Sequence, residues 1–133
     1  DNALFRRALI VGLRREPWIT VVGELETPDE LTARAAECRP DVVLLDLDMP
    51  GRDPFDAIEE LRTTSPNARV LVLTGHLRLD FVDRAIERGA WGYLSKSVSI
   101  EQLLNAIREV ASGSFVFGAD VATEEEPGRC STT

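Results

Sequence analysis

The stretch Asp41-Val42-Val43-Leu44-Leu45-Asp46-Leu47-Asp48-Met49-Pro50-Gly51 decides how the rest of the chain is read. Four apolar residues run straight into an acid, a second acid follows two positions on, and Pro50-Gly51 stops the run. The apolar segment suits a strand and is too short for a helix. It shows no polar alternation, so it reads as a strand buried on both faces, as in a parallel sheet. Ligand crevices of open parallel sheets lie at the carboxyl ends of the strands, and Asp46 stands at such an end. A carboxylate there is either a working group or an ordinary strand terminator, and this stretch alone does not choose between them.

Upstream, Thr27-Pro28-Asp29-Glu30 combines a cap, a first-position proline and a capping-box acid. Leu31, Ala35 and Cys38 then form the stripe of a helix that Pro40 stops. Before it, Trp18 to Leu25 is β-branched and apolar and reads as a strand. Residues 2–15 read as a helix ended by Pro17, with Leu4, Ala8, Val11 and Gly12 on one spacing and Phe5, Leu9 and Leu13 widening the face.

Downstream, Asp53-Pro54 repeats the cap-then-proline signal, and Phe55, Ala57, Ile58 and Leu61 keep helical spacing. Val70 to Leu73 is a second unbroken apolar strand, ending in Thr74-Gly75. Val82, Ala85 and Ile86 mark a helix that Gly89 stops. Trp91 to Leu94 is a short strand ending in Ser95-Lys96. Ser99 and Gln102 frame a capping box for the most amphipathic helix, with Ile100, Leu103, Leu104, Ile107, Val110 and Ala111 on its apolar face. Phe115 to Phe117 suit a short extended piece laid on the body, and residues 121–133 a polar tail or the start of a linker. Alternation of this kind specifies a three-layer α/β domain with a parallel sheet. The chain opens on a helix at Asp1, not on Met, and a strand ahead of residue 1 would complete five regular strand–helix units.

The 133 residues suffice for one domain with a real core, and 44% hydrophobic content argues against global disorder. Fifteen basic against 23 acidic side chains give a net charge of −8, which disfavours non-specific nucleic-acid binding by this segment. Cys38 and Cys130 have no metal-like spacing and read as reduced thiols. No apolar run approaches the roughly 20 residues of a membrane span. No basic segment leads into an apolar stretch as in a signal peptide, so a cytoplasmic location is expected.

Three strands end in a chemically capable group: Asp46, Thr74 and Lys96. A fourth, Asp1, stands just ahead of the first helix. Two acids, a hydroxyl and an ammonium on one sheet edge make the inventory for a divalent metal and a phosphoryl group. Singly, Thr74 is an ordinary strand end, Lys96 a solvated charge and Asp1 a helix cap. Their convergence is what raises them.

These residues carry a family resemblance. The sequence resembles the receiver domain of bacterial two-component response regulators, in the branch with a LuxR-type helix-turn-helix. The matching pieces are residues 1–9, 40–51, 70–75 and 89–96, and the resemblance covers essentially 1–120. It implies a flavodoxin-like (CheY-like) α/β domain with strand order 2-1-3-4-5. The family's first strand, and the acid that normally precedes Asp1, are absent from this sequence. Without that strand the segments at 18–25 and 41–47 each lose a hydrogen-bonded neighbour, so upstream residues, or another segment in the same slot, are expected.

By the resemblance, Asp46 is the phosphoacceptor for a sensor histidine kinase. Mg²⁺ would be held by Asp1, Asp46 and the backbone carbonyl of Asp48. Lys96 would pair with a phosphoryl oxygen, Thr74 would hydrogen-bond another, and Tyr93 would follow inward as the aromatic switch. Asp48 and His76 would border the hydrolytic water and set the lifetime of the phosphoryl group. The implied protein is a homodimer, not an enzyme beyond self-catalysed phosphotransfer and dephosphorylation, and it reaches DNA only through a C-terminal DNA-binding domain absent from these residues, to which residues 121–133 would begin the linker. Its dimer surface is either the first and last helices or the last main strand with its flanking helices. Two small departures are Pro54, where glycine is usual, and Ser97, where an acid is more common.

Two other readings compete. Asp46-Leu47-Asp48 after an apolar strand also resembles the nucleophile and general acid of haloacid-dehalogenase-like phosphatases. Against it, Met49-Pro50-Gly51 replaces the usual Thr or Val, no acidic pair follows Lys96, and too little chain remains for a cap domain. The other is a receiver-like interaction module that no longer uses phosphate, against which the retained Asp46, Thr74 and Lys96 argue.

Overall fold

The computed structural model describes residues 2–25, 27–48, 51–75 and 79–117. Asp1, His76, Cys130 and the 121–133 tail, all singled out above, lie outside the described residues. The elements are α1 (Asn2–Arg14), a 3-10 turn (Pro28–Glu30) running into α2 (Leu31–Cys38), β1 (Val42–Asp46), α3 (Pro54–Thr64), β2 (Arg69–Thr74), α4 (Leu79–Arg88), β3 (Gly92–Ser95), α5 (Ile100–Ala111) and β4 (Val116–Phe117).

The punctuation explains the boundaries. Thr27 Oγ1 accepts the Asp29 N–H, and Asp53 Oδ1 accepts the Phe55 N–H with Pro54 in the first helical position. Ser99 and Gln102 form the reciprocal capping box at the start of α5. Gly89, at φ 107°, ends α4 in a conformation that suits glycine.

The four strands pair in the order β1-β2-β3-β4, every pair parallel. β2 is central to the Asp46–Ser95 region, and its residues alternate between two cores. Val70 and Val72 face a cluster with Leu31, Phe55, Ile58 and Leu61, from α2 and α3. Leu71 and Leu73 face a cluster with Leu13 of α1 and Leu103, Ile107 and Val110 of α5. The result is a flavodoxin-like α/β sandwich, and the sheet opens its carboxyl ends on one edge.

Several expectations are corrected. Residues 18–25 form no strand. A strand exists only through ladder bonds to a neighbour, and among the described residues none lies beside this segment. β4 makes up the fourth strand instead: the expected 2-1-3-4-5 order is realised as its 3-4-5 run, with Val116–Phe117 added beyond β3. The α1 face is rotated from the one expected: Ile10 and Leu13 are buried, while Leu4 and Val11 are exposed. Ile86 of α4 is likewise exposed, and β1, expected to be buried on both faces, is only half-buried at Val42, Val43 and Leu44, which line the groove beside it.

The edge of β1 away from β2 borders a groove of about 410 Å³. Leu9 and Leu13 of α1, Val21 and Leu25, and Val42 and Leu44 of β1 line it. The 18–25 segment is tethered across this groove mainly by side chains: Arg6 Nε bonds Glu24 at 2.8 Å and Cys38 Sγ donates to the Val22 carbonyl at 3.4 Å. Cys38 is a free thiol. Among the described residues no helix is long and apolar enough to cross a membrane.

Candidate functional site

Parallel registry brings the strand-end residues together. Asp46 is level with Leu73, one residue before Thr74, and Thr74 is level with Ser95, one residue before Lys96. The Lys96 N–H donates to the Thr74 carbonyl at 2.8 Å, and the Leu47 N–H to the Leu73 carbonyl at 2.9 Å, so the ladder extends up to the site. Backbone bonding thus fixes where each side chain begins.

Asp46 Oδ2 lies 2.7 Å from Lys96 Nζ, and both side chains are mostly buried, at 12% and 17% exposure. Asp46 Oδ1 accepts the Asp48 N–H at 2.8 Å. That bond curls the chain after β1, an Asx-type turn, and returns the Asp48 carboxylate over the strand ends. There Asp48 Oδ2 accepts the Gly75 N–H at 3.0 Å and sits 3.3 Å from Lys96 Nζ. Thr74 is 1% exposed between the strands of Asp46 and Lys96. Lys96 also lies over the Phe5 ring of α1, 5.0 Å from its centroid.

Tyr93 is wholly buried within the α2–α3–α4 core. The sequence places it on β3 with no sign of which way it faces. Ser97, the departure noted after Lys96, shares a 2.7 Å hydroxyl–hydroxyl bond with Ser95, and its N–H donates to Ser95 Oγ. These bonds shape the turn that carries Lys96. The structure therefore brings Asp46, Asp48, Thr74 and Lys96 to one edge.

Sequence reasoning missed the Gly75 N–H and the Phe5 ring. A backbone amide leaves no sequence signal, and Phe5 reads only as part of an apolar face. The Asp48 side chain joins as an acceptor of two donors, a role its position after Asp46 did not reveal.

Two carboxylates share one ammonium here, which leaves the cluster net negative and rich in hard oxygen donors. That donor set fits a hard divalent cation. Among the described residues, no three such side chains converge closely enough to form a cage by themselves.

Residues 1–108 match the Response regulator receiver domain family. The chain belongs to that family. This receiver domain is 34% identical over 116 residues to the nitrate/nitrite response regulator protein NarL of Escherichia coli (strain K12), covering 87% of this chain and 54% of the relative. It is 33% identical over 121 residues to the transcriptional regulatory protein DesR of Bacillus subtilis (strain 168), covering 91% and 60%. The chain spans little more than half the length of these curated relatives.

Among solved structures, a LuxR-family two-component response regulator from Aurantimonas sp. SI85-9A1 superposes with a TM-score of 0.81 at 31% identity, over 96% of this chain and 88% of that one. A response regulator protein from Burkholderia pseudomallei, solved with a phosphorylated aspartic acid, a calcium ion and citrate, gives 0.75 at 28% identity, over 96% and 69%. The receiver domain is thus of the LuxR-family, two-component type, and such domains are not enzymes in the usual sense. Neither the phosphatase reading nor the phosphate-independent module finds support in these likenesses.

Proposed function

We propose that this receiver domain accepts a phosphoryl group on Asp46 from a sensor histidine kinase and thereby switches a transcription regulator of which residues 1–120 are the input domain. The observation that carries this reading is the Asp46–Lys96 pair at 2.7 Å, with Thr74 on the strand between them. An Asp46 carboxylate oxygen would attack phosphorus, the P–N bond to the kinase imidazole would break, and the imidazole would leave with that electron pair. Lys96 is already placed to take up negative charge on the transferred group. Asp1, Asp46 and the Asp48 backbone carbonyl would hold Mg²⁺, which supplies charge neutralisation between carboxylate and phosphate.

Thr74, beside the acceptor and buried, would turn its hydroxyl to a phosphoryl oxygen. Tyr93, wholly buried on β3, would serve as the aromatic switch, and phosphorylation would favour its inward state over an outward one, a population shift driven by phosphate-specific contacts. Asp48 and His76 would set the lifetime by repelling or positioning the hydrolytic water. Homodimerisation through α1 and α5, or through the α4–β3–α5 face, belongs to the same reading, as do DNA contact through a further C-terminal domain and a cytoplasmic setting. Exposed Leu4 and Val11 on α1, and exposed Ile86 on α4, give each of these surfaces apolar area to bury.

The test is intact mass after incubation with Mg²⁺ and acetyl phosphate. One phosphoryl adduct, lost in Asp46→Asn, is the expected result. No adduct, or an adduct retained in Asp46→Asn, would refute the assignment.

A further inference from the structure

Two donors from two different strand ends converge on one oxygen of Asp48. The Gly75 N–H, just past β2, lies 3.0 Å from Asp48 Oδ2, and Lys96 Nζ, just past β3, lies 3.3 Å from it. The same ammonium is 2.7 Å from Asp46 Oδ2. A backbone amide and an ammonium focused on one point make an anion-binding site. Here the anion it holds is part of the chain.

The arrangement is built. The Asp48 N–H is anchored to Asp46 Oδ1 at 2.8 Å, so the acceptor side chain itself sets the turn that aims Asp48. Gly75 leaves just enough room: a Cβ there would lie 3.3 Å from Asp48 Oδ2. Asp48 remains 33% exposed, so its carboxylate has an open path to solvent if displaced.

A phosphoryl group on Asp46 brings roughly two negative charges and three acceptor oxygens to this spot. Those oxygens need the donors that Asp48 now occupies, and the Asp48 charge opposes them. We propose that the Asp48 carboxylate is an internal anion standing in the place of a phosphoryl oxygen, held by Gly75 and Lys96, and that phosphorylation must expel it. Asp48 is thereby a positioning residue that weakens phosphorylation and keeps the strand-end loops in their unphosphorylated arrangement. The inference rests on Asp46 being the phosphoacceptor.

The test uses beryllofluoride, an analogue of the phosphoryl group, with Mg²⁺ at saturation for each variant. Binding is followed by nuclear magnetic resonance through the Gly75 amide. Asp48→Ala should bind on the order of tenfold more tightly than the wild type, the scale of one charge-assisted hydrogen bond released. Asp48→Asn, which keeps an acceptor and loses the charge, should fall between them. The Gly75 amide of free Asp48→Ala should already be displaced from its wild-type shift. Equal or weaker binding by Asp48→Ala, with Asp46→Asn still abolishing it, would overturn the internal-anion role alone. Failure of the wild type to bind, or unaltered binding in Asp46→Asn, would overturn the phosphoacceptor reading and this inference with it.

Discussion

Lys96 Nζ and Asp46 Oδ2 meet at 2.7 Å although they extend from strands that are not neighbours. β2 lies between them, so the pair closes over Thr74. The ammonium serves two carboxylates, since Asp48 Oδ2 is 3.3 Å away. Lys96→Met should leave both acids facing each other without a counter-charge. The pair is mostly buried but not sealed, so the stability loss should be about 1–3 kcal/mol, below the range for fully buried pairs. Urea denaturation measures it, and the yield of acetyl-phosphate adduct should fall at least about tenfold in the same variant.

Thr74→Val keeps the shape of a 1%-exposed side chain and removes its hydroxyl. Adduct formation on Asp46 should persist. The Tyr93 ring resonances that respond to beryllofluoride in the wild type should no longer move. An unchanged Tyr93 response would remove Thr74 from the switch.

Gly92→Ala tests packing under the site. A Cβ at Gly92 would collide with the Leu71 side chain and come within 2.8 Å of the Val116 carbonyl oxygen. Neither the β2 core nor the β4 backbone can yield cheaply. A loss of about 1–3 kcal/mol is expected, read as a lower urea midpoint. The amide of Val116, bonded to the Trp91 carbonyl at 2.9 Å, should lose hydrogen-exchange protection in the variant.

The edge of β1 that borders the groove, unpaired among the described residues, makes an alternating prediction. The Asp41 carbonyl and the Leu47 N–H both bond to β2, so odd-numbered residues of β1 turn their backbone groups that way. Those of Val42 and Leu44 then face the groove. Amides of Val43 and Leu45 should exchange slowly, and those of Val42 and Leu44 much faster. Uniform protection along β1 would mean that a further strand fills the groove.

Glu60 accepts from the Thr32 hydroxyl and from Arg52 Nη1, each at 2.6 Å, tying α3 to α2 and to the loop after β1. The Thr32 hydrogen bond, then that from Arg52, holds its carboxyl below the ordinary value of 4.5. A lowered folded-state value contributes stability that is fully present above 4.5 and is lost as pH falls through the folded value. The group is solvent-exposed, so the effect is small. Glu60→Gln should lower stability slightly at neutral pH, and the difference from wild type should shrink below 4.5 in urea titrations.

Much of the scaffold was legible because local chemistry specified it. Unbroken apolar runs at 42–45 and 70–73 specify strands of a covered sheet, and both became strands, β2 buried on both faces and β1 only half-buried beside its groove. Asp53 and Ser99 act on backbone N–H groups two or three residues away, and Pro54 acts through its own fixed φ, so the helices start where these residues stand. Trp18 to Leu25 misled for the opposite reason. Its β-branched residues favour extension, but a ladder needs a partner from elsewhere. On α1, spacing fixed the existence of an apolar face, while its direction depended on where α5 and the groove lay.

At the site, the sequence by itself determined which chemical groups end the strands: the acid of Asp46, the hydroxyl of Thr74 and the amine of Lys96. Strand ends are set by runs of local residues, and parallel pairing sends them all to one edge. Only the tertiary structure decided that Lys96 reaches across β2 to Asp46, and that Asp48 folds back to claim the Gly75 amide. Those distances depend on the registry of three strands and on a turn closed by one side-chain bond. Both are products of packing between segments far apart in the chain, which no local pattern encodes.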